Sequence, residues 1–149
     1  MTFDWMDARD WQLLKLLQTN ARATFAELGR SVKLTPPAVA ERVRRMEDQG
    51  AIEGYTARVN LAAVGRGMRV FLRVQVLTKE YPKFLRTVQA IRAVEECHHI
   101  TGGESFLLKA AVRDVAELER LIEKLSVFGQ TVTSIVLSTS LSHRLVEPD

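Results

Sequence analysis

The sequence predicts an α+β chain of two small domains: an N-terminal helix-turn-helix with a wing-like extension, then a ferredoxin-like βαββαβ domain built on an antiparallel sheet. Three observations lead there. Helix-start signals recur at Asp7, Thr24 and Thr35 near the N-terminus; a strand, helix, strand, strand, helix, strand order follows later; and Gly65 and Gly67 lie where the periodicity changes. The expected divisions are 1–60 for the helical domain, 61–67 for a linker and 68–149 for the second domain.

The first helix starts at Asp7 as N-cap, with Met6 and Trp11 placed to form a hydrophobic staple and Leu13, Leu14, Leu16 and Leu17 as its apolar side. Thr24 and Glu27 spell a T-x-x-E capping box for the second. Thr35 followed by Pro36 starts the third, where Val39, Val43 and Met46 share one buried face by their spacing of four and three. Pro37, Ala38, Glu41, Arg44 and Arg45 project the other way. Gly50 ends this helix, and Ala51 to Val59 reads as an extended segment anchored by Ile52, Tyr55 and Val59.

In the second domain Met68, Val70, Leu72, Val74 and Val76 alternate with Arg69, Phe71, Arg73 and Gln75, the signature of a half-buried strand. Pro82 opens a helix carrying Phe84, Leu85, Val88 and Ile91. Strands over 94–101 and 105–113 flank Gly102 and Gly103, which read structurally as a hairpin turn. Asp114 and Glu117 cap a helix with Val115, Leu118, Leu121, Ile122 and Leu125 on its apolar side, and 131–141 reads as a last, β-branched strand. Both helices then cover one sheet face. The bare face, with Phe71 on it, argues for packing against a second copy and so for a homodimer.

Two short helices, a tight turn and a basic third helix outline a DNA reader. Arg42, Arg44 and Arg45 on any helix can be a plain solvated face. Beside Thr35 at a helix start, where free amides attract phosphate, they form a face able to enter the groove of double-stranded DNA. The residues assigned to it are Thr24, Lys33, Thr35, Pro36, Pro37, Ala38, Glu41, Arg42, Arg44 and Arg45.

The 149 residues carry a net charge of +3 and a sequence pI near 9.3. Residues 1–60 hold nine Lys/Arg against eight Asp/Glu, a net of +1, and residues 61–149 hold twelve against ten, a net of +2. The basicity is thus not concentrated in the reader, and affinity for DNA has to come from placement and from several readers per assembly. A single cysteine excludes an internal disulfide framework, and no leader-like or membrane-length apolar run occurs, so a cytoplasmic location without membrane insertion is expected. An enzymatic role is not expected. Cys97, His98 and His99 cannot close a metal site, because strand alternation puts His98 opposite the other two, and no phosphate-binding glycine motif, nucleophile elbow or acid–base pair is present. No metal or cofactor is therefore assigned. A competing reading is a non-DNA amino-acid sensor or assembly module whose helical domain contacts only protein.

The strings ERVRRMEDQGAIEGYTARVN (41–60) and ECHHITGGESFLLK (96–109), with the order of reader, linker and βαββαβ domain, resemble the leucine-responsive/asparagine-responsive (Lrp/AsnC) transcriptional regulators over nearly the whole chain. The resemblance implies an amino-acid-responsive regulator, dimeric through its sheet and assembling into tetramers or octamers. It further implies an effector site at contacts between C-terminal domains, on the loop Thr101, Gly102, Gly103, Glu104 and Ser105. Glycines there let backbone amides approach a carboxylate, and Glu104 offers a counter-charge to an ammonium group. Two departures stand out: many members carry acids where this chain has Gly103 and Ser105, and glycine in the reader's turn where it has Lys33.

Overall fold

The computed structural model describes residues 5–103 and 105–148. The chain forms two compact units, Met1–Arg58 together with Leu141–Asp149, and Val59–Ser140.

The first unit holds helices α1 (Ala8–Thr19), α2 (Phe25–Val32) and α3 (Pro36–Asp48). Asp7 caps α1 by accepting from the amides of Arg9 and Asp10, while the Asp10 carboxylate accepts from the amide of Asp7. Thr24 and Glu27 form the reciprocal box at α2. Leu13, Leu17, Leu28, Val32, Val39, Val43 and Met46 bury together, with Met6 buried and Trp11 packed at the edge. Each helix alone is too short to persist in water, so this shared core is what holds the trio together.

The turn between α2 and α3 passes through Lys33, whose φ of 55° and ψ of 50° are left-handed. That conformation costs an L residue about 1–2 kcal/mol. Lys33→Gly is expected to raise stability by about 0.5–1 kcal/mol, the relief being partly offset by glycine's greater freedom in the unfolded chain; a higher urea midpoint is the check. The glycine this turn does require lies earlier. A Cβ on Gly29 would fall 2.5 Å from the Leu34 carbonyl oxygen, in the segment where the Leu34 amide donates to the Gly29 carbonyl at 2.9 Å.

At the other end of α3, Gly50 adopts φ 74°. Its amide donates to the Glu47 carbonyl at 3.0 Å and that of Ala51 to Met46 at 2.8 Å, a Schellman closure. The wing expectation needs correction: 51–59 forms no strand. Ala51 and Ile52 pack on the core, whereas Tyr55 and Val59 are 50% and 61% exposed and add no buried apolar anchor. Among the described residues this unit has no strand at all. Tyr55 instead donates its hydroxyl to Glu47 at 2.8 Å, and burial together with that carboxylate pushes its phenol up to about 12.

The tail after residue 140 lies with the helices rather than with the sheet. Gln18 holds it through the main chain of Val146, Nε2 donating to its carbonyl at 3.0 Å and Oε1 accepting from its amide at 2.8 Å, and Lys15 pairs with Glu147.

The second unit begins with a turn over 61–65, in the segment read as a linker. Asn60 caps it, accepting from the amides of Ala62 and Ala63. Then come β1 (Met68–Val74), a 3-10 turn running into α4 (Tyr81–Gln89), β2 (Val94–His99), β3 (Phe106–Val112), α5 (Val115–Ser126) and β4 (Thr131–Ile135). The sheet order is β2-β3-β1-β4, all neighbours antiparallel. Val70, Leu72, Val74, Phe106, Leu108 and Ala110 face Phe84, Val88, Leu118, Leu121 and Leu125, which makes one helix-covered core. Leu85 and Val115, expected on apolar helix sides, are 39% and 56% exposed.

The last strand is shorter than expected. Ile135 pairs with Val70, and the Val136 amide reaches the Arg69 carbonyl at 2.9 Å. Beyond that point β1 has almost no backbone left, because the chain before Met68 is turned, so 137–141 finds no ladder. β2 carries a register shift between Val94 and Glu96, after which Cys97 and His99 pair with the core residues Leu108 and Phe106, and His98 pairs with Leu107 of the open face. Asp114 caps α5 through the Glu117 amide at 2.8 Å, but Glu117 reciprocates one residue early, accepting from the Arg113 amide at 2.8 Å.

Among the described residues four carboxylates are held below their ordinary range: Asp7 by the Asp10 amide, Glu27 by the Thr24 amide, Glu96 by Lys109 and Glu117 by the Arg113 amide. Depressed acids contribute stability that is present above their unfolded pKa and lost as pH falls through the folded one. The urea midpoint is therefore expected to hold from neutral pH to about pH 5 and to drop progressively below it.

Candidate DNA-reading helix and ligand loop

With Val39, Val43 and Met46 turned inward, α3 presents Thr35, Pro36, Pro37, Glu41 and Arg44 to solvent, with Ala38 half-buried. Thr35 has the extended backbone of an N-cap, yet its hydroxyl caps nothing. Pro36 and Pro37 occupy the first two helical positions and have no N–H, so the expectation of a helix start rich in free amides is corrected: two of its donors are missing. The uncapped hydroxyl is therefore available at that end. Thr24 is exposed, but its hydroxyl both donates to and accepts from Glu27 within the capping box.

The three arginines are not equivalent. Arg42 Nη1 donates to Asp10 Oδ1 and to Asp7 Oδ2, both at 2.8 Å, and Arg45 Nη2 donates to Asp10 Oδ2 at 2.7 Å. Asp10 is fully buried, while the Arg42 and Arg45 side chains remain 24% and 46% exposed. Arg45 also lies 5.6 Å over the Trp5 ring. Both guanidiniums are thus committed to the N-terminal end of α1, whereas Arg44 is exposed and forms no ion pair among the described residues. Lys33 is likewise exposed at the turn leading into α3.

Sequence reasoning missed Asp10. Its signal was positional: Asp10, Leu13 and Leu17 follow i, i+3, i+7, which puts a carboxylate on the buried stripe of α1, where only paired charges persist.

In the second unit Thr101, Gly102 and Gly103 are exposed at the β2–β3 turn, with Gly102 at φ 114°. Ser105 is pinned to the end of β1: its hydroxyl donates to the Val76 carbonyl at 3.0 Å and accepts from the Val76 amide at 3.3 Å. That hydroxyl is spent on the fold. The expectation for Glu104 lies outside the described residues. Gly103 lines a small cavity of about 170 Å³ with Gln75, Gln130 and Val132. The two glutamines were also missed. Gln75 was legible as the neutral polar residue on the arginine face of β1, but Gln130 reaches the cavity only because its carbonyl accepts from the Gln75 amide at 2.9 Å.

The pattern of the AsnC-type helix-turn-helix domain matches residues 6–47, and that of the Lrp/AsnC ligand binding domain matches residues 69–146. The chain belongs to the Lrp/AsnC family. Among its relatives, the HTH-type transcriptional regulator LrpC of Bacillus subtilis is 32% identical over 133 residues, covering 89% of this chain and 92% of LrpC. The proline dehydrogenase transcriptional activator of Rhodobacter capsulatus is 38% identical over 127 residues, 83% of this chain and 82% of the activator. Among solved structures, the transcriptional regulator NMB0573 from Neisseria meningitidis in complex with L-Met superposes with a TM-score of 0.88 at 25% identity, over 95% of this chain and 96% of that one. As an Lrp/AsnC protein with a reader and a ligand-binding domain, the chain is a transcriptional regulator. No helix among the described residues is long and apolar enough to cross a membrane.

Proposed function

We propose that α3 reads the major groove of double-stranded DNA, with Arg44, Glu41, Pro37, Ala38 and the Thr35 hydroxyl facing the duplex and Lys33 on a phosphate. Arg42 and Arg45 act behind that face, holding α3 to α1 through Asp10. The observation that carries this reading is the division of labour among the arginines: one is free to reach out while two are fixed by a buried carboxylate. Arg44→Ala is expected to weaken binding to the cognate duplex by about 1–3 kcal/mol while the unfolding midpoint stays put. An unchanged anisotropy titration with that variant would show that the face has been misassigned.

The effector is an α-amino acid, held at the β2–β3 loop of 101–105. The cavity beside Gly103 has the scale of one small zwitterion, and the amides of Gln75 and Gln130 carry both the donors a carboxylate needs and the acceptors an ammonium needs. The L-Met complex of the Neisseria relative supports this reading. A second copy covers the open sheet face, where Phe71 is 41% exposed, so the working unit is at least a homodimer that holds two readers at fixed spacing. Ligand then alters DNA binding to the extent that its affinity differs between assembly states.

A further inference from the structure

One basic cluster belongs neither to the reader nor to the ligand loop. On the helix side of the second unit, a cavity of about 170 Å³ between the α4–β2 connection and α5 is lined by Arg92, Arg113, Arg120 and Lys124 against a single carboxylate, Glu117. Its walls are firm. The Ala93 carbonyl accepts from the Ala111 amide at 2.8 Å, and Arg66 Nη1 donates to the Arg92 carbonyl at 2.8 Å, which brings a fifth cation to the rim.

The carboxylate is already used. Glu117 accepts from the amide and the Nε of Arg113, leaving Arg92, Arg120 and Lys124 without an ion pair among the described residues. Helical spacing keeps it so: Glu117, Arg120 and Lys124 fall on one side of α5, and Glu119 and Glu123 on the other. Like charges gathered round a concavity repel one another unless an anion sits among them.

We infer that this cluster is a second phosphate-binding site, and that its occupant is the sugar-phosphate backbone of DNA. The cavity has room for one phosphate, and among the described residues no aromatic ring lines it to hold a base or nucleoside. The demand comes from the reader, where two of the three α3 arginines are tied to Asp10 and two helix-start amides are replaced by proline. Phosphates neutralised elsewhere on the chain supply the missing electrostatic affinity. The inference rests on the DNA-binding reading above.

The test is the full-length Arg120→Gln, Lys124→Gln double variant, titrated by fluorescence anisotropy across a salt series against the duplex upstream of its own gene and an unrelated duplex. Glutamine keeps helix propensity and removes only charge. The expected result is a salt slope smaller by roughly 0.9 for each phosphate that the variant no longer neutralises, with low-salt affinity down on the order of tenfold for both duplexes alike, since phosphates carry no sequence information. The unfolding midpoint by circular dichroism is expected to match the parent. A parent that binds while the double variant keeps the same slope overturns this inference alone; a parent with no affinity for DNA overturns it together with the reading it rests on.

Discussion

Asp10→Ala is expected to unfold the helical unit at a markedly lower urea concentration, with a loss of about 3 kcal/mol. Removing one partner of a buried ion pair typically costs about 3–5 kcal/mol. The lower end applies because Arg42 and Arg45 retain 24% and 46% side-chain exposure and can turn toward water. The same change removes the acceptor for the Asp7 amide and so half of the α1 capping box. Both tryptophans, Trp5 and Trp11, lie in this unit, so their fluorescence reports its melting selectively. DNA affinity should fall with it, because α3 loses its brace to α1. A tryptophan transition that stays at its original midpoint would mean that the buried carboxylate contributes little.

Gly129→Ala is expected to have the larger effect, on the other unit. Gly129 sits between α5 and β4 at φ 153°, and a Cβ there would fall 1.9 Å from the Gln75 carbonyl oxygen, an approach no rotamer relieves because both atoms belong to the backbone frame. The turn has to move, and with it the Gln75 to Gln130 hydrogen bond that joins the end of β1 to β4. A loss of about 4 kcal/mol follows, in the range of severe backbone clashes. It should be visible by circular dichroism while the tryptophan transition is unaffected. Because Gln75 and Gln130 line the cavity, amino acid binding should disappear as well. Gly103→Ala is the contrast: a Cβ there meets nothing within 4 Å, so stability should change by less than about 0.5 kcal/mol.

Most of the fold was legible because its signals are local. Asp7, Thr24 and Asp114 cap through their own next turn, and the period-two pattern of β1 survives in its burial. What escaped depends on partners distant in sequence. The length of β4 is set by where β1 begins, and Tyr55 finds its partner in the Glu47 carboxylate on α3 rather than in the apolar core. The tail's place beside Gln18 rests on hydrogen bonds to the main chain of Val146, which no side-chain pattern announces.

The functional face shows the same limit. Spacing put Arg44 and Arg45 on the outer side of α3 and Val43 on the inner, but only the fold shows that Asp10, thirty-five residues before Arg45, reaches that side and takes two of the three guanidiniums. The loss of amide donors at the start of α3 was written in Pro36 and Pro37 themselves. Gln75 became a candidate ligand-binding residue only when β1 and β4 brought it beside Gln130 and Gly103.

Selective DNA binding that an amino acid alters is the behaviour to measure first, by fluorescence-anisotropy titration of the full chain against duplex from upstream of its own gene, with unrelated duplex as control, with and without the common L-amino acids. Salt-sensitive binding that favours the upstream duplex and shifts when amino acids are added is the expected result. Equal, weak affinity for both duplexes, unmoved by salt or amino acids, would contradict it and point to a helical unit that contacts protein rather than DNA.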